Sequence, residues 1–213
     1  MAIAGVFASS FAWRAAQAWS EGQLQRSMSS RFGDAGLRRM QRWFAMLEAQ
    51  NGKSVSQHLH AVNDFWNQQL LAGLDPQIWK EDDYWATPLE SLGRGTGDCE
   101  DFVIGKYFSL IKLGVPSQQM RFIYVRARVG GVGSTRSVAH MVLGFYETPQ
   151  SDPLVLDNLA ATIQKASHRS DLTPVFSFDA ESIYVEGSRS ASSDRINRWQ
   201  GLLVRMRQEG FDV

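Results

Sequence analysis

The chain has a single cysteine among 213 residues, so it can form no internal disulfide and carries one thiol left free. It has no excess of either charge. Its 22 basic residues balance 22 acidic ones without basic clusters, which argues against nucleic acid as the main partner. No apolar run reaches the length of a transmembrane helix, so the chain is not expected to be membrane-embedded. Internal repeats, long linkers and low-complexity stretches are missing as well. What is there, 44% hydrophobic residues with seven tryptophans, describes a globular protein with a sizeable core, read as one domain of two lobes.

The front of the chain, Ala2-Ile3-Ala4-Gly5-Val6-Phe7-Ala8-Ser9-Ser10-Phe11-Ala12, is similar to the apolar core of a secretion signal, and Ala16-Gln17-Ala18 has the small-x-small look of a cleavage site. A basic n-region is missing. Residues 1–18 are therefore read either as a truncated signal peptide or as an apolar segment of the mature fold. Residues 19–213 are read as the domain itself, with a helical lobe over about 19–114 and a sheet lobe over about 115–213.

The free thiol sits in Gly93-Arg94-Gly95-Thr96-Gly97-Asp98-Cys99-Glu100-Asp101, between a glycine-rich turn and an apolar helix pattern. Phe102, Val103, Ile104, Tyr107, Phe108, Leu110, Ile111 and Leu113 are apolar around most of a helical wheel, which suits a helix buried in a core, and Gly114 and Pro116 stop it. Asp98 is a good N-cap, so Cys99 falls in the first turn, where free N–H groups and the helix dipole favour an anion. At such positions, above all beside a histidine, thiol pKa values drop from about 8.5 to roughly 3.5–7.5. The competing reading of a lone cysteine is an inert, buried small hydrophobe.

Upstream, Leu37, Met40, Trp43, Phe44 and Leu47 recur at helical spacing between Asp34 and Gln50. A second helix opens on a capping box, Ser54 with Gln57, and buries Val55, Leu59, Val62, Phe65, Trp66 and Leu70. His58 and His60 lie two apart on it and diverge, which speaks against a shared metal site and places them at the surface or the core edge. Pro88 opens a short helix through Leu92.

Past the central helix the period changes from helical to alternating. Residues 122–129 read as a strand with one buried face, and 137–146 as its more buried antiparallel partner across a Gly130–Ser134 loop. Leu154–Leu156, Val175–Phe178 and Ser182–Val185 supply further short strands, and Ile196, Trp199, Leu202, Leu203 and Met206 mark a closing helix. Helices first and strands second indicate α+β rather than parallel α/β.

His140 stands mid-strand among apolar residues, where an unpaired imidazole costs a few kcal/mol, so it needs a partner. Asp157 ends the next strand. Cysteine on a helix start, histidine on one strand and carboxylate on the adjoining one follow triad logic: thiolate attack, a histidine that protonates the leaving amine, and an aspartate that fixes the imidazole tautomer. The backbone N–H of Cys99 would add one oxyanion donor. The alternative bonds His140 to a nearby carbonyl and makes Asp157 the cap of a helix from Leu159 to Ile163.

Tyr84-Trp85-Ala86-Thr87-Pro88, Gly97-Asp98-Cys99-Glu100-Asp101, Lys106-Tyr107, Ala139-His140-Met141-Val142-Leu143 and Leu156-Asp157-Asn158 together resemble the bacterial transglutaminase-like cysteine proteinases of LapG type, over roughly residues 30 to 200. The resemblance implies a papain/transglutaminase-like fold, with the catalytic cysteine at the start of a central helix packed on an antiparallel sheet that carries His140 and Asp157. It implies a periplasmic, calcium-dependent cysteine endopeptidase that cuts the N-terminal region of a large surface adhesin at a paired-alanine site, releasing it and promoting biofilm dispersal. It also implies calcium beside Cys99 on Asp98, Glu100 and Asp101, and sequestration by the periplasmic domain of an inner-membrane cyclic-di-GMP receptor of LapD type.

The acidic trio has a plain alternative, a cap worth about 1 kcal/mol and favourable charges worth a few tenths each at the helix start. Yet three carboxylates in four residues repel one another and raise the pKa of the thiol, and a hard dication with oxygen ligands relieves both. On the residues alone two other functions stay open: a transglutaminase or other amidase using the same triad, and a non-enzymatic calcium-dependent binding module with an inert cysteine.

Overall fold

The computed structural model describes residues 19–131, 133–179, 183–185, 188–189 and 193–213, with side chains from 197 onward in the last segment. The apolar segment 1–18 lies outside the described residues. Among the described residues, six α-helices and nine strands form an α+β fold, helices mainly first and an antiparallel sheet second.

Helix α1 (Glu21–Ala49) is broken at Gly33, whose φ of 63° and ψ of −160° are open to glycine. The periodic pattern expected from Asp34 is the part after this break; the part before it buries Leu24 and Met28. Helix α2 (Val55–Gln69) has the expected capping box, with the Ser54 hydroxyl accepting from Gln57 N and the Gln57 side chain accepting from Ser54 N. His58 is buried at the edge of this helix, its Nε2 3.0 Å from Gln50 O, and His60 is exposed.

Strand β1 (Leu71–Ala72) leads into the short α3 (Asp75–Ile78) and, past an aromatic loop, α4 (Pro88–Arg94). β1 pairs in parallel with β2 (Thr96–Gly97), which ties the turn before the cysteine to the end of α2. Helix α5 (Cys99–Lys112) then runs through the centre of the core. Two indole N–H groups, from Trp43 on α1 and Trp66 on α2, donate to the Ser109 hydroxyl at 2.8 and 2.9 Å, and that hydroxyl donates to Gly105 O. Gly105 is required there, because a Cβ would lie 2.6 Å from the Trp66 ring. These contacts fix the height and rotation of α5, and with them the place of its first residue.

Strands β3 (Met120–Arg128), β4 (Ser137–Phe145), β5 (Leu154–Leu156), β6 (Gln164–Lys165), β7 (Leu172–Phe178), β8 (Ile183–Val185) and β9 (Ser188–Arg189) form one sheet, ordered β6-β5-β4-β3-β7-β8-β9 and antiparallel throughout. β3 differs from the one buried face expected of it. Phe122 packs with Met141, Leu143 and Phe178 in the main core that includes α5, while Ile123, Val125 and Ala127 join Val142 and Val155 in a second cluster on the other face. Only its far end, with Arg126 and Arg128 exposed, keeps the simple alternation. Helix α6 (Ser193–Glu209) closes the core with Trp199 stacked on Phe108 at 5.7 Å.

Candidate active site

The turn before α5 is built from the residues that sequence reading singled out. Gly95, at φ 72°, ends α4 in the left-handed region, and Asp98 caps α5 by accepting from Glu100 N at 3.1 Å and Asp101 N at 3.3 Å. Gly97 has no room for a side chain, since a Cβ would sit 2.7 Å from that of Asp101. Cys99 is the first helical residue and is partly buried.

Its sulfur lies against β4, where the Met141 backbone N–H faces it, and it is 2.7 Å from Glu100 Oε2. The other Glu100 oxygen accepts from Tyr124 OH at 2.9 Å. The low thiol pKa expected at a helix start is not what this arrangement produces. Burial pushes the Cys99 thiol well up, the charge and hydrogen bond of Glu100 and the charge of Asp98 add to it, and the Met141 N–H opposes them too weakly. A full carboxylate charge at hydrogen-bond distance outweighs the partial charge of a helix end.

One residue before Met141, His140 is buried and paired. Its Nε2 is 2.7 Å from Asp157 Oδ1, in a pair whose side chains are 4% and 0% exposed. β4 and β5 are antiparallel neighbours with Leu143 opposite Leu156, which brings the end of β5 alongside His140. Asp157 caps no helix; its Oδ1 accepts from Leu159 N at 2.9 Å within a turn. Burial works to raise its pKa but is outweighed by His140, the Leu159 N–H and Arg169, and the carboxyl is held well below the usual carboxylate range. Arg169 Nη2 donates to Asp157 Oδ2 at 2.7 Å.

Among the described residues, the carboxylates brought close enough to share an ion are Asp75, Asp98 and Asp101, with one oxygen of each within 4.8 Å of the others. Of the trio read from the sequence, Asp98 and Asp101 stand together, whereas the Glu100 side chain is directed to Cys99 and Tyr124. Asp75 was not foreseen, because it lies 23 positions before Asp98 and reaches the turn only through the β1–β2 pairing. Asp75 Oδ1 and Asp101 Oδ2 are buried with no hydrogen-bond partner among the described residues. Burial and the mutual repulsion of Glu100, Asp101 and Asp75 push Asp98 up to about 10, and Asp75 and Asp101 are raised for the same reasons. Crowded, desolvated carboxylates with orphaned oxygens fit a hard dication with several oxygen ligands.

Arg169 and Lys106 complete the surroundings. Arg169 carried no signal in the sequence, since an arginine in a polar loop resembles any other. Lys106 is fully buried on α5 with no hydrogen-bond partner for its Nζ among the described residues, and burial lowers its pKa to about 7 against the charges of Asp157 and Asp64. A cleft of about 320 Å3 opens on the sheet next to Tyr124, lined also by Arg126, Val138, Ala139, Val175 and Phe176, where the register of β3 and β7 shifts.

A helix-borne thiol, a strand-borne imidazole and a carboxylate behind it can be compared with known proteins. The family model described as bacterial transglutaminase-like cysteine proteinase matches residues 41–172, which include all three. The chain belongs to this family. It is a cysteine protease of that kind, and its closely related structures agree. LapG from Legionella pneumophila in its EGTA-treated form superposes with a TM-score of 0.73 at 40% identity, over 87% of this chain and 96% of that one. Calcium-bound LapG from the same organism gives 0.72 at 42% identity, over 87% and 98%. No curated protein sequence matches the chain. The transglutaminase-like fold expected from the sequence is thus the fold of this proteinase.

Proposed function

We propose that this LapG-like proteinase is a calcium-dependent periplasmic endopeptidase that uses Cys99, His140 and Asp157 to cut the N-terminal region of a large surface adhesin at a paired-alanine site. Adhesin release and biofilm dispersal would follow. The observation that carries the reading is the placing of the Cys99 sulfur against β4 at Met141, beside a buried His140–Asp157 pair, in a chain that matches LapG over nearly its whole length.

The chemistry starts at the imidazole. With Nε2 given to Asp157, Nδ1 is the nitrogen left to exchange a proton with the thiol. His140 takes that proton as the sulfur attacks the scissile carbonyl carbon, and gives it to the leaving amine. Asp157, ionised and out of water, keeps the ring in one tautomer and stabilises the imidazolium. The Cys99 N–H at the helix start would donate to the oxyanion. Water then enters, His140 removes its proton, and hydrolysis of the thioester frees Cys99.

Asp75, Asp98 and Asp101 would hold calcium, while the Glu100 side chain faces Cys99 and Tyr124. Bound there, the ion would supply fixed positive charge to offset the carboxylates that surround the thiol. Sequestration by the periplasmic domain of a LapD-type receptor belongs to the same reading, and the LapG likeness is its support.

The test is incubation of the protein, with calcium, with the N-terminal region of the large adhesin encoded in the same genome, followed by mass analysis of the products. Two fragments meeting at an Ala-Ala pair are expected from the parent and none from Cys99→Ala. Absence of fragments, or cross-linked products in their place, overturns the assignment.

A further inference from the structure

Asp157 has two carboxylate oxygens, and the structure uses them for different things. Oδ1 takes the His140 ring nitrogen at 2.7 Å and the Leu159 N–H at 2.9 Å. Oδ2 takes Arg169 Nη2 at 2.7 Å. The Asp157 side chain is 0% exposed and that of Arg169 7%, so the second oxygen is held by the guanidinium in a place water barely reaches.

Arg169 is itself fixed. Its Nε and Nη2 meet the two oxygens of Asp171 at 2.9 and 2.8 Å, a two-point grip that sets the plane of the guanidinium. Asp171 is anchored to the sheet, for its carbonyl accepts from Arg128 N at the end of β3 at 2.8 Å. A continuous line of fixed contacts therefore runs from β3 through Asp171 and Arg169 to Asp157 and the imidazole. With Oδ2 pinned, the carboxylate cannot turn about its Cβ–Cγ bond without giving up a charge-assisted bond. Its charge also stays compensated while His140 is neutral.

We infer that Arg169 is a positioning residue of the proteinase, holding the Asp157 carboxylate so that Oδ1 stays on His140 and the ring presents its other nitrogen for proton transfer. This rests on the triad reading above for its catalytic consequence, but the positioning itself can be measured without any substrate.

The measurement is proton NMR of the His140 Nε2–H, which a short bond to a carboxylate shifts far downfield and shields from exchange with water. In Arg169→Met, shown to be folded by its unfolding transition, the signal is expected to move upfield and exchange faster; in Arg169→Lys it is partly kept, and in Asp157→Asn it is lost. With the adhesin fragment, Arg169→Met is expected to lower kcat by up to about 100-fold with KM unchanged. In an Asp157→Asn background the same change should cost nothing further, because Arg169 acts through that carboxylate. A folded Arg169→Met protein with the parental signal overturns the inference, as does a kcat loss that adds in full to that of Asp157→Asn. Should Arg169→Met not fold, Arg169→Lys and Asp171→Asn decide: smaller shifts in the same direction support the role, and unchanged signals in both overturn it. If the parent protein cuts no adhesin fragment, the substrate assignment fails while the NMR arm still decides the role of Arg169.

Discussion

Replacing Cys99 by alanine removes a sulfur that touches Glu100 and β4 but leaves the Asp98 cap and the helix start in place, because alanine is well tolerated in a first turn. Cys99→Ala is therefore expected to lose all cleavage while keeping the parental unfolding midpoint; a variant that unfolds would make the cysteine structural. Asp75 offers a separate test at the same scale. Its carboxylate sits in the cluster with Asp98 and Asp101, with Oδ1 buried and without a hydrogen-bond partner among the described residues, and an amide there keeps the shape while removing one charge and one strong ligand. Asp75→Asn should bind calcium more weakly by calorimetry and show a smaller calcium-induced rise in unfolding temperature, and equal affinity would place the ion elsewhere. Both residues teach the same lesson about what a sequence holds. The Asp98-Cys99 pairing, the cap and the buried His140 were legible because their meaning is local. Asp75, Arg169 and the direction of the Glu100 side chain were not, since each depends on a contact between segments far apart in the chain.

Among the elements, α5 was read most fully, because its length, cap and apolar wheel all pointed one way. β3 was read only in part. Its alternation looked like one buried face, and what hid the second was a set of partners, Val142 and Val155 with Ala166 and Leu172 beside them, that only sheet order assembles. The half of α1 before Gly33 was unread, for Leu24 and Met28 are too few to make a pattern in a polar stretch. α5 also carries a cost of its own in Lys106. A fully buried protonated amine with no hydrogen-bond partner among the described residues is unfavourable, which is why its pKa falls to about 7. The unfolded chain then holds more protons than the folded one between about pH 7 and pH 10.5, so this group makes stability rise with pH across that window. Lys106→Met should stabilise the protein by roughly 1–4 kcal/mol at neutral pH, with the gain shrinking as the pH is raised. Denaturant titrations at several pH values measure this, and a variant less stable than the parent at neutral pH would assign the ammonium a stabilising partner.

At the scale of the whole molecule, helices that are distant in sequence meet around two buried carboxylates. Arg31 on α1 pairs with Glu90 on α4 at 2.6 Å and with Glu209 at the end of α6, while Tyr84 OH lies 3.1 Å from both Glu90 oxygens. Glu90 and Glu209 are 3% and 4% exposed, and the charge of Arg31, which both share, together with that of Arg205, whose Nε is 3.7 Å from Glu90 Oε2, lets them stand together. For Glu209, burial and the charge of Glu90 outweigh the Thr87 hydrogen bond and Arg31, and its pKa is pushed up to about 7 from 4.5. A carboxyl raised in the folded state stabilises while protonated, so its contribution is complete below about pH 4.5 and is lost as the pH rises through about 7. That loss amounts to about 3 kcal/mol at one pKa unit per 1.36 kcal/mol. Arg31→Met takes away the cation that both carboxylates share, leaving Arg205 beside Glu90 and the two carboxylates to repel each other when both are charged. The variant should be less stable than the parent at every pH, and its deficit should be larger above pH 7 than near pH 4.5, where Glu209 keeps its proton in both proteins. Urea unfolding of the two proteins at the ends of that range provides the comparison. Equal deficits would mean that Arg31 contributes packing alone and that the junction of α1, α4 and α6 is not held by charge.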